Sequence, residues 1–317
     1  MIRHTLSACV LGSALLAGVP AHAFELAHDN GTLTLPSAPK TVATFDLGVL
    51  DTLDALGVPV AGVPKSSYEG ALSRYNSTPV IGTLFEPDYA ALKQLKPDLI
   101  IASGRSRRAV PELSAIAPTV TLGANTDGFI ASFKADTLAL GKAFGKEAEA
   151  AAALDRIQKQ FDALHRVNQG KTGAFLFVAN KNVMAHAPGD RFGYAYELAG
   201  LTSVVPRREP AAAPATRPAA GSPEAKAAAA KRAEEIRALA QAEPDWLIVL
   251  DRGAINGAEK TAAATLAAHP EISRTRAFRE GRVYYASPNA WYVVGTGLNN
   301  LHAISADMLQ AMKKGAF

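Results

Sequence analysis

The stretch that decides the fold is "KEAEAAAALDRIQKQFDALHRVNQG", residues 146–170. Apolar residues recur in it at spacings of three and four from Ala148 to Val167, which is the period of an amphipathic α-helix. Nothing in the pattern interrupts this run before Gly170, a residue type that often follows the end of a helix. The segment therefore predicts one long, continuous helix near the middle of the chain.

Segments that alternate between strand and helix patterns lie on both sides of this helix. "TVATFDLG" (41–48) and "DLIIASG" (98–104) before it, and "GAFLFVAN" (173–180) and "PDWLIVLDRG" (244–253) after it, are typical of buried strands. Strands that alternate with helices are typical of parallel sheets, so the sequence predicts an α/β protein with two lobes joined by a single long helix. We place the N-terminal lobe at 24–145, the linking helix at 146–169 and the C-terminal lobe at 170–317.

The first 23 residues have the pattern of a cleavable export signal. "MIRH" is basic, the apolar run that follows is too short to span a bilayer, and "AHA" (21–23) has the small-x-small form of a cleavage site. "LSAC" (6–9) resembles a lipoprotein acylation box, but a cut before Cys9 would leave almost no apolar segment ahead of it. We therefore predict cleavage after Ala23, which removes the single cysteine and leaves an exported chain without disulfides.

The charge balance and the familiar motifs exclude several classes of function. Loss of Arg3 leaves 32 lysines and arginines against 29 acidic residues, which gives no electrostatic case for a nucleic-acid partner. There is no Walker loop, no G-x-S-x-G elbow and no H-E-x-x-H, and "GTGLNN" (295–300) lacks the third glycine of a dinucleotide fingerprint. The Ala/Pro-rich segment 206–222 predicts a mobile low-complexity loop, with helix only from about Pro223.

Three arginines follow strands or precede helices, where open α/β sheets present their binding crevice. Arg105 follows "LIIASG", Arg191 lies in "APGDRFG", and Arg252 follows "WLIVLD". For any one of them, an ion pair with a neighbouring carboxylate is the simpler explanation, with Asp190 and Asp251 as the obvious partners. The equivalent placement of all three favours a cationic binding site instead, while Arg107 and Arg108 are interpreted as solvated charges.

An aromatic pair, Trp291 and Tyr292, lies between the strand pattern "GRVYYA" (281–286) and the last predicted helix. Both rings could pack in the core, because large aromatic side chains bury well and a tyrosine hydroxyl usually finds a partner. Alternatively, Tyr292 faces a cleft and its phenol oxygen binds a ligand.

Five segments together resemble a known family. In order and spacing the chain is similar to the periplasmic iron–siderophore binding proteins of ABC importers, especially those for catecholate and petrobactin-type ligands. The resemblance implies two Rossmann-like lobes, a ferric chelate between them, arginine contacts from Arg105, Arg191 and Arg252, and an iron-ligating phenolate from Tyr292, with Trp291 mainly in packing. The segments are "TFDLGVLDTLDALG" (44–57), "LKPDLIIASGR" (95–105), "GDRFG" (189–193), "PDWLIVLDR" (244–252) and "AWYVVGTGL" (290–298).

Two features of the chain depart from the family pattern. The family's second iron ligand is a histidine, but the corresponding place is an alanine near position 230, and residues 203–250 contain no histidine. The family docks its permease through one glutamate on each lobe, whereas the corresponding places are Ala90 and Arg237. Glutamates about one turn away, Glu86 on one lobe and Glu234 or Glu235 on the other, are the candidates for permease docking.

The sequence thus predicts a monomeric periplasmic protein that captures a ferric siderophore and delivers it to an inner-membrane permease. It would have no intrinsic cofactor, since the iron arrives as part of the ligand. A haem or cobalamin binder of the same fold is the alternative within binding proteins. An exported α/β enzyme with Tyr292 as general acid is a third interpretation, although no matched base or nucleophile lies beside it in the sequence.

Overall fold

The structure is a computed structural model that describes residues 23–123, 128–208 and 218–315. The predicted export signal lies outside the described residues except for Ala23, and so does 209–217 of the predicted low-complexity loop. Within these three ranges, no helix is long and apolar enough to cross a membrane.

The N-terminal lobe is built around a parallel sheet of three strands in the order β3-β4-β5. An antiparallel hairpin of β1 and β2, which the sequence analysis did not predict, precedes the sheet and turns through Asp29 and Asn30. Asp46 begins α1, because its carboxylate accepts hydrogen bonds from the backbone N–H groups of Gly48 and Val49 at 2.8 and 3.0 Å. The elements are β1 (Phe24–His28), β2 (Gly31–Leu35), β3 (Val42–Thr44), α1 (Leu47–Ala55), α2 (Tyr89–Leu95), β4 (Leu99–Ala102), α3 (Val110–Ser114), β5 (Thr119–Thr121) and α4 (Phe129–Ala143), with 3₁₀ turns at Gly70–Ser77 and Arg107–Ala109.

The long linking helix is α5 (Glu147–Val167), which lies within the predicted segment. Its buried face repeats at three and four residues and packs against α4 and the last helix of the chain. This spacing confirms that the helical period read from the sequence defines one amphipathic helix. The buried residues are Ala150, Ala153, Leu154, Ile157, Phe161 and Leu164.

The C-terminal lobe holds a second sheet in the order β10-β9-β6-β7, with the short β8 also paired to β6. Most pairings are parallel, as predicted, but β6 and β7 form an antiparallel hairpin that the sequence analysis missed. Asn180 and Lys181 make its two-residue turn, and both have positive φ angles, of 50° and 63°. The elements are β6 (Thr172–Ala179), β7 (Asn182–His186), α6 (Tyr194–Ala199), β8 (Thr202–Ser203), α7 (Pro223–Gln241), β9 (Trp246–Asp251), α8 (Ala262–Ala267), α9 (Arg276–Arg279), β10 (Val283–Ala286) and α10 (Leu298–Lys314), with 3₁₀ turns at Arg252–Gly257 and Ile272–Arg274.

Helix α7 begins at Pro223, the position at which the sequence predicts helix to start. The hydroxyl of Ser222 accepts a hydrogen bond from the N–H of Ala225 at 3.1 Å, and proline suits the first helical turn because it has no N–H to satisfy.

The two lobes are tied together beside the cleft that separates them. Glu197 of α6 accepts hydrogen bonds from the backbone N–H groups of Phe129 and Ile130, at 2.7 and 3.1 Å, so a C-terminal-lobe carboxylate caps the first turn of α4. The rings of Phe129 and Tyr194 meet at 4.6 Å between centroids at the same place. These contacts fix the spacing of the cleft walls.

Candidate ligand-binding cleft

The three predicted arginines converge on one short segment between β10 and α10. Residues Asn289–Val294 form a π-helical turn, in which the N–H of Gly295 donates to the carbonyl of Ala290 at 2.8 Å. Single π-helical turns are rare in proteins, and those that do occur are often at functional sites. Trp291 and Tyr292 belong to this turn.

Arg105 and Arg191 reach the π-helical turn from opposite lobes. The guanidinium of Arg105 donates to the carbonyl of Tyr292 and, at 3.2 Å, to the carbonyl of Val293. Arg191 donates to the same Tyr292 carbonyl at 3.1 Å. One backbone carbonyl therefore holds two guanidinium groups side by side.

The ring of Tyr292 lies among the guanidinium groups of the C-terminal lobe. The central guanidinium carbon of Arg191 is 4.4 Å from the ring centroid, and that of Arg252 is 5.7 Å away, within the range of cation–π attraction. Phe177 and Phe192 flank the same ring, each with its centroid at 6.1 Å. The tyrosine is thus held between two positive charges and an aromatic wall.

The two members of the aromatic pair occupy different environments. Trp291 is only 1% exposed and stacks on Tyr194 at 5.5 Å between centroids, so most of its ring is part of the core. Tyr292 is partly exposed and lines the cleft. The structure therefore places packing mainly on Trp291 and leaves the Tyr292 ring facing the cleft.

Gly297, which follows this pair, allows a close contact between the start of α10 and helix α1. A Cβ atom on Gly297 would come within 2.4 Å of a carboxylate oxygen of Asp51 in α1, so only glycine fits there. That carboxylate accepts a hydrogen bond from the N–H of Asn300 at 2.9 Å, and the Asn300 side chain donates to the carbonyls of Ala290 and Gly295. The "GTG" sequence thus anchors the π-helical turn onto the N-terminal lobe.

The carboxylates adjacent to two of these arginines in sequence have other partners. Asp190 accepts hydrogen bonds from Arg208 and from the N–H of Ala187, at 2.9 and 2.8 Å. Asp251 accepts from the N–H groups of Gly253 and Ala262, at 3.0 and 2.7 Å, and so caps the loop and helix that follow β9. Within the ranges that the structure describes, no carboxylate is ion-paired with Arg105, Arg191 or Arg252.

Positive charge accumulates in this arrangement, and the pKa values reflect it. Burial and the neighbouring charge of Arg191 lower the pKa of Arg105, although Asp46 and Tyr292 oppose that shift. Burial raises the pKa of the Tyr292 phenol, but hydrogen bonds with Arg252 and Arg191 and their charges outweigh it, so the net pKa lies below the ordinary value. The cleft therefore favours anions and a phenolate.

We call this region the arginine cleft, a cavity of about 470 Å³ between the lobes. Its lining combines aromatic rings with guanidinium groups, which is the composition of a site for a bulky anion with aromatic parts. Its lining includes Asp46, Arg105, Arg107, Phe129, Arg191, Phe192, Tyr194, Trp291, Tyr292 and Thr296.

Arg252 lies 5.7 Å from the centroid of the Tyr292 ring and lines a neighbouring cavity, not the arginine cleft. Arg107, interpreted from the sequence as a solvated charge, forms an ion pair with Asp29 at 3.3 Å and also lines the arginine cleft. Phe177 and Phe192 were not predicted as site residues, although Phe192 directly follows Arg191 and Phe177 lies in β6, near Tyr292.

The candidate docking glutamates lie away from the arginine cleft. Glu86 and Ala90 are exposed on the N-terminal lobe. Glu234 is exposed on α7, whereas Glu235 is engaged by Arg208 at 2.9 Å, which makes it the weaker candidate. Ala230, near the place of the family's histidine, is exposed on α7. In the described part of the chain, no group of three or more His, Cys, Asp or Glu side chains is placed to hold a metal ion.

Comparison with known sequences defines the class of protein. The sequence profile of the periplasmic binding protein family matches residues 42–290, and the chain belongs to that family. It is 30% identical over 291 residues to the petrobactin-binding protein YclQ of Bacillus subtilis, which covers 90% of this chain and 86% of the relative. It is 26% identical to the ferric-anguibactin-binding protein FatB of Vibrio anguillarum, over 89% of this chain and 85% of the relative.

Solved structures have the same two-lobe fold. The crystal structure of YclQ superposes with a TM-score of 0.78 at 27% identity, covering 92% of this chain and 99% of the other. The periplasmic catecholate-siderophore binding protein VctP of Vibrio cholerae gives a TM-score of 0.76 at 25% identity, over 90% of this chain and 99% of the other. The predicted fold of two α/β lobes joined by a long helix is thereby confirmed.

Proposed function

We propose that this protein binds a ferric siderophore of the catecholate type in the arginine cleft. The observation that carries the proposal is the convergence of Arg105, Arg191 and Arg252 around Tyr292 without a carboxylate partner in the described part of the chain. A ferric catecholate is a bulky anion with aromatic rings, which suits guanidinium forks above an aromatic wall. The siderophore-binding relatives support the same ligand class.

Iron would enter as part of the ligand, since it is the cargo of the protein and not a resident cofactor. The phenol of Tyr292, whose pKa is lowered, would fill one coordination position of a ferric ion that a tetradentate chelator leaves open. A phenolate is a hard oxygen donor, as ferric iron prefers. Trp291 would support the ring from the core without contacting the metal.

The protein would act by binding and release, without chemistry of its own, because the family to which it belongs consists of binding proteins. We infer a periplasmic location from the export signal and the family. Delivery to an inner-membrane permease would use an exposed patch on the N-terminal lobe that joins Glu86 to Phe85, which is 63% exposed, and to Tyr89. Glu86→Ala should slow uptake of the ferric siderophore in cells while leaving its affinity in solution unchanged.

A titration of tryptophan fluorescence tests the ligand class. Trp291 contacts the wall of the arginine cleft, so binding of an absorbing ferric complex should quench its emission. We expect saturable, one-to-one quenching by a ferric bis-catecholate and weaker responses to ferric hydroxamate and to haem. Tight binding of haem with a shifted Soret band, and none of the catecholate, would replace the proposal with the tetrapyrrole alternative.

A further inference from the structure

A second, larger cavity lies near Tyr292, beside the arginine cleft. It has a volume of about 760 Å³ and opens between the turn of the β6–β7 hairpin and the first half of α7. We call it the outer pocket and define it by Phe177, Asn180, Met184, Arg232 and Arg252.

Two residues of the outer pocket lie close to Tyr292, which lines the arginine cleft. Arg252 and Phe177 line the outer pocket, and both approach the ring of Tyr292, at 5.7 Å and 6.1 Å from its centroid. A ligand held against this ring therefore lies within a short arm's reach of two residues that line the outer pocket.

The outer pocket exists because one face of helix α7 carries small side chains in its first half. Its second half packs on the sheet through the buried Ile236 and Leu239. About two and three turns before Ile236, the same face presents Ala228 and Ala225, which are too short to reach the β6–β7 hairpin. The outer pocket is the gap left by these small side chains.

Arg232 extends into this gap from the same face of α7. The acidic residue one turn further on, Glu235, is held by Arg208 at 2.9 Å. No carboxylate is ion-paired with Arg232 among the residues that the structure describes. Two guanidinium groups, those of Arg232 and Arg252, thus share one cavity.

The remaining lining suits the arm of a chelator better than a free ion. Phe177 and Met184 offer an apolar surface, while the amides of Asn180 and Asn182 provide polar groups at the tight hairpin turn. The side chain of Asn182 donates to the carbonyl of Asn180 at 3.2 Å, which keeps the turn in place.

We propose that the outer pocket is an accessory subsite that binds a carboxylate-bearing arm of the siderophore, with Arg232 as its main contact. This inference rests on the proposed function, because it assigns the substrate class of the same site. The ligand would then be a catecholate chelator that carries a free carboxylate outside the iron centre. Guanidinium and carboxylate form paired, charge-assisted hydrogen bonds, which provides the selectivity.

A pair of matched probes tests the subsite on the mature protein. One is the ferric complex of bis(2,3-dihydroxybenzoyl)lysine, and the other is the same complex built on 1,5-diaminopentane, which lacks only the carboxylate. We expect the carboxylated probe to bind about tenfold more tightly to the unmodified protein, as a charge-assisted contact at a half-exposed site allows.

Two variants assign that preference to the outer pocket. Arg232→Gln should bring the affinity ratio of the two probes close to one while leaving the affinity for the probe without carboxylate unchanged. Ala228→Phe should do the same by filling the cavity. Arg237→Gln makes the same chemical change on an exposed part of α7 and should keep the tenfold ratio.

The outcomes are distinct. Equal binding of the two probes to the unmodified protein, or a preference that survives Arg232→Gln, would overturn the accessory subsite and leave the proposed function intact. If neither probe bound, the proposed function would fail and the subsite with it.

Discussion

The arginines of the cleft and those on the outer surface of the C-terminal lobe are organised in opposite ways. On the outer surface, Arg208 binds the carboxylates of Asp190 and Glu235, each at 2.9 Å, and Arg276 binds Asp245 at 2.8 Å. In the cleft, Arg105 and Arg191 are held by backbone carbonyls of the π-helical turn, which orient a guanidinium without neutralising it.

This difference shows that adjacency of two charged residues in the sequence does not mean that they form an ion pair in the structure. Asp190 is adjacent to Arg191 but pairs with Arg208, eighteen residues further along the chain. Arg208 and Arg276 are paired with carboxylates, whereas Arg105 and Arg191 remain available for an anionic ligand.

The largest effect is expected from removing a cleft arginine. Arg191→Ala should weaken binding of a ferric bis-catecholate by about ten- to a hundredfold, because a charge-assisted contact to a desolvated anion contributes about 1.5–3 kcal/mol. Fluorescence titration measures the affinity, and circular dichroism checks the fold. Arg105→Ala and Arg252→Ala should lower the affinity in the same direction.

Arg276→Ala is the matched control, since it removes an arginine of the same lobe whose partner is a carboxylate. Its affinity for the ferric bis-catecholate should stay within about twofold of the unmodified protein, as expected for a partly exposed ion pair far from the ligand. Equal losses for the cleft and outer variants would show that the division is false.

The second prediction separates iron ligation from packing at Tyr292. Tyr292→Phe keeps the ring, so a packing role would cost at most a hydrogen bond, about 1 kcal/mol. If the phenolate ligates iron, binding of a tetradentate ferric catecholate should fall more than tenfold and its charge-transfer absorbance should shift.

A hexadentate ferric catecholate is the control for this substitution. Its iron has no open position, so Tyr292→Phe should change its affinity by less than about threefold. Losses of equal size for the tetradentate and hexadentate complexes would leave Tyr292 as a wall of the cleft and not a ligand.

The third prediction concerns His186, which lies between the two groups of arginines. Burial is the main reason that its pKa is lowered to about 4, and the charges of Arg208 and Arg191 act in the same direction while Asp190 opposes them. The unfolded chain therefore binds more protons than the folded protein between pH 6.5 and about 4, and the free energy of unfolding should decrease as the pH falls through this window.

Denaturant unfolding at pH 7 and at pH 4.5 measures this dependence. His186→Leu removes the titrating group, so the stability lost between the two pH values should be about 1–2 kcal/mol smaller than in the unmodified protein. An identical pH dependence in both proteins would mean that His186 titrates normally in the folded state.

The smallest effect is expected from Arg208→Ala. Asp190 would lose its guanidinium partner, which would leave its negative charge uncompensated beside Arg191. Ferric-catecholate affinity should therefore fall about threefold, and the free energy of unfolding should fall by about 1 kcal/mol. Adding Asp190→Asn should restore the affinity, because it removes the uncompensated charge. If the double variant bound no better than Arg208→Ala alone, Arg208 would act on the cleft through its shape and not its charge.

Much of the fold follows from local periodicity in the sequence. The repeat of buried residues in α5 and the continuous apolar runs of β6 and β9 are long enough to be unambiguous. The two hairpins were missed because β1, β2 and β7 are each only five residues long. For the hairpin of β1 and β2, the sequence did offer a signal. Apolar Phe24 and Leu26 alternate with other residues, and the turn-forming Asp29 and Asn30 follow them.

Only those residues of the candidate site that follow the ends of strands could be predicted from the sequence. Arg252 directly follows β9, and Arg105 comes three residues after the end of β4. Because both follow the carboxyl ends of parallel strands, topology alone brings them toward the cleft. The outer pocket could not be predicted, because the role of Arg232 depends on how α7 packs against the β6–β7 hairpin. The partners of Asp190 and Asp251 also depend on loop conformations that the sequence does not specify.

Native mass spectrometry of the protein purified from iron-starved cells tests the central claim most directly. The proposal predicts one bound species per chain, with the isotope pattern of iron and the mass of a catecholate chelator. That species should be absent when Arg105, Arg191 and Arg252 are all replaced by alanine in a protein that remains folded. A bound tetrapyrrole, or a ferric chelate retained by the triple variant, would contradict the assignment of the arginine cleft.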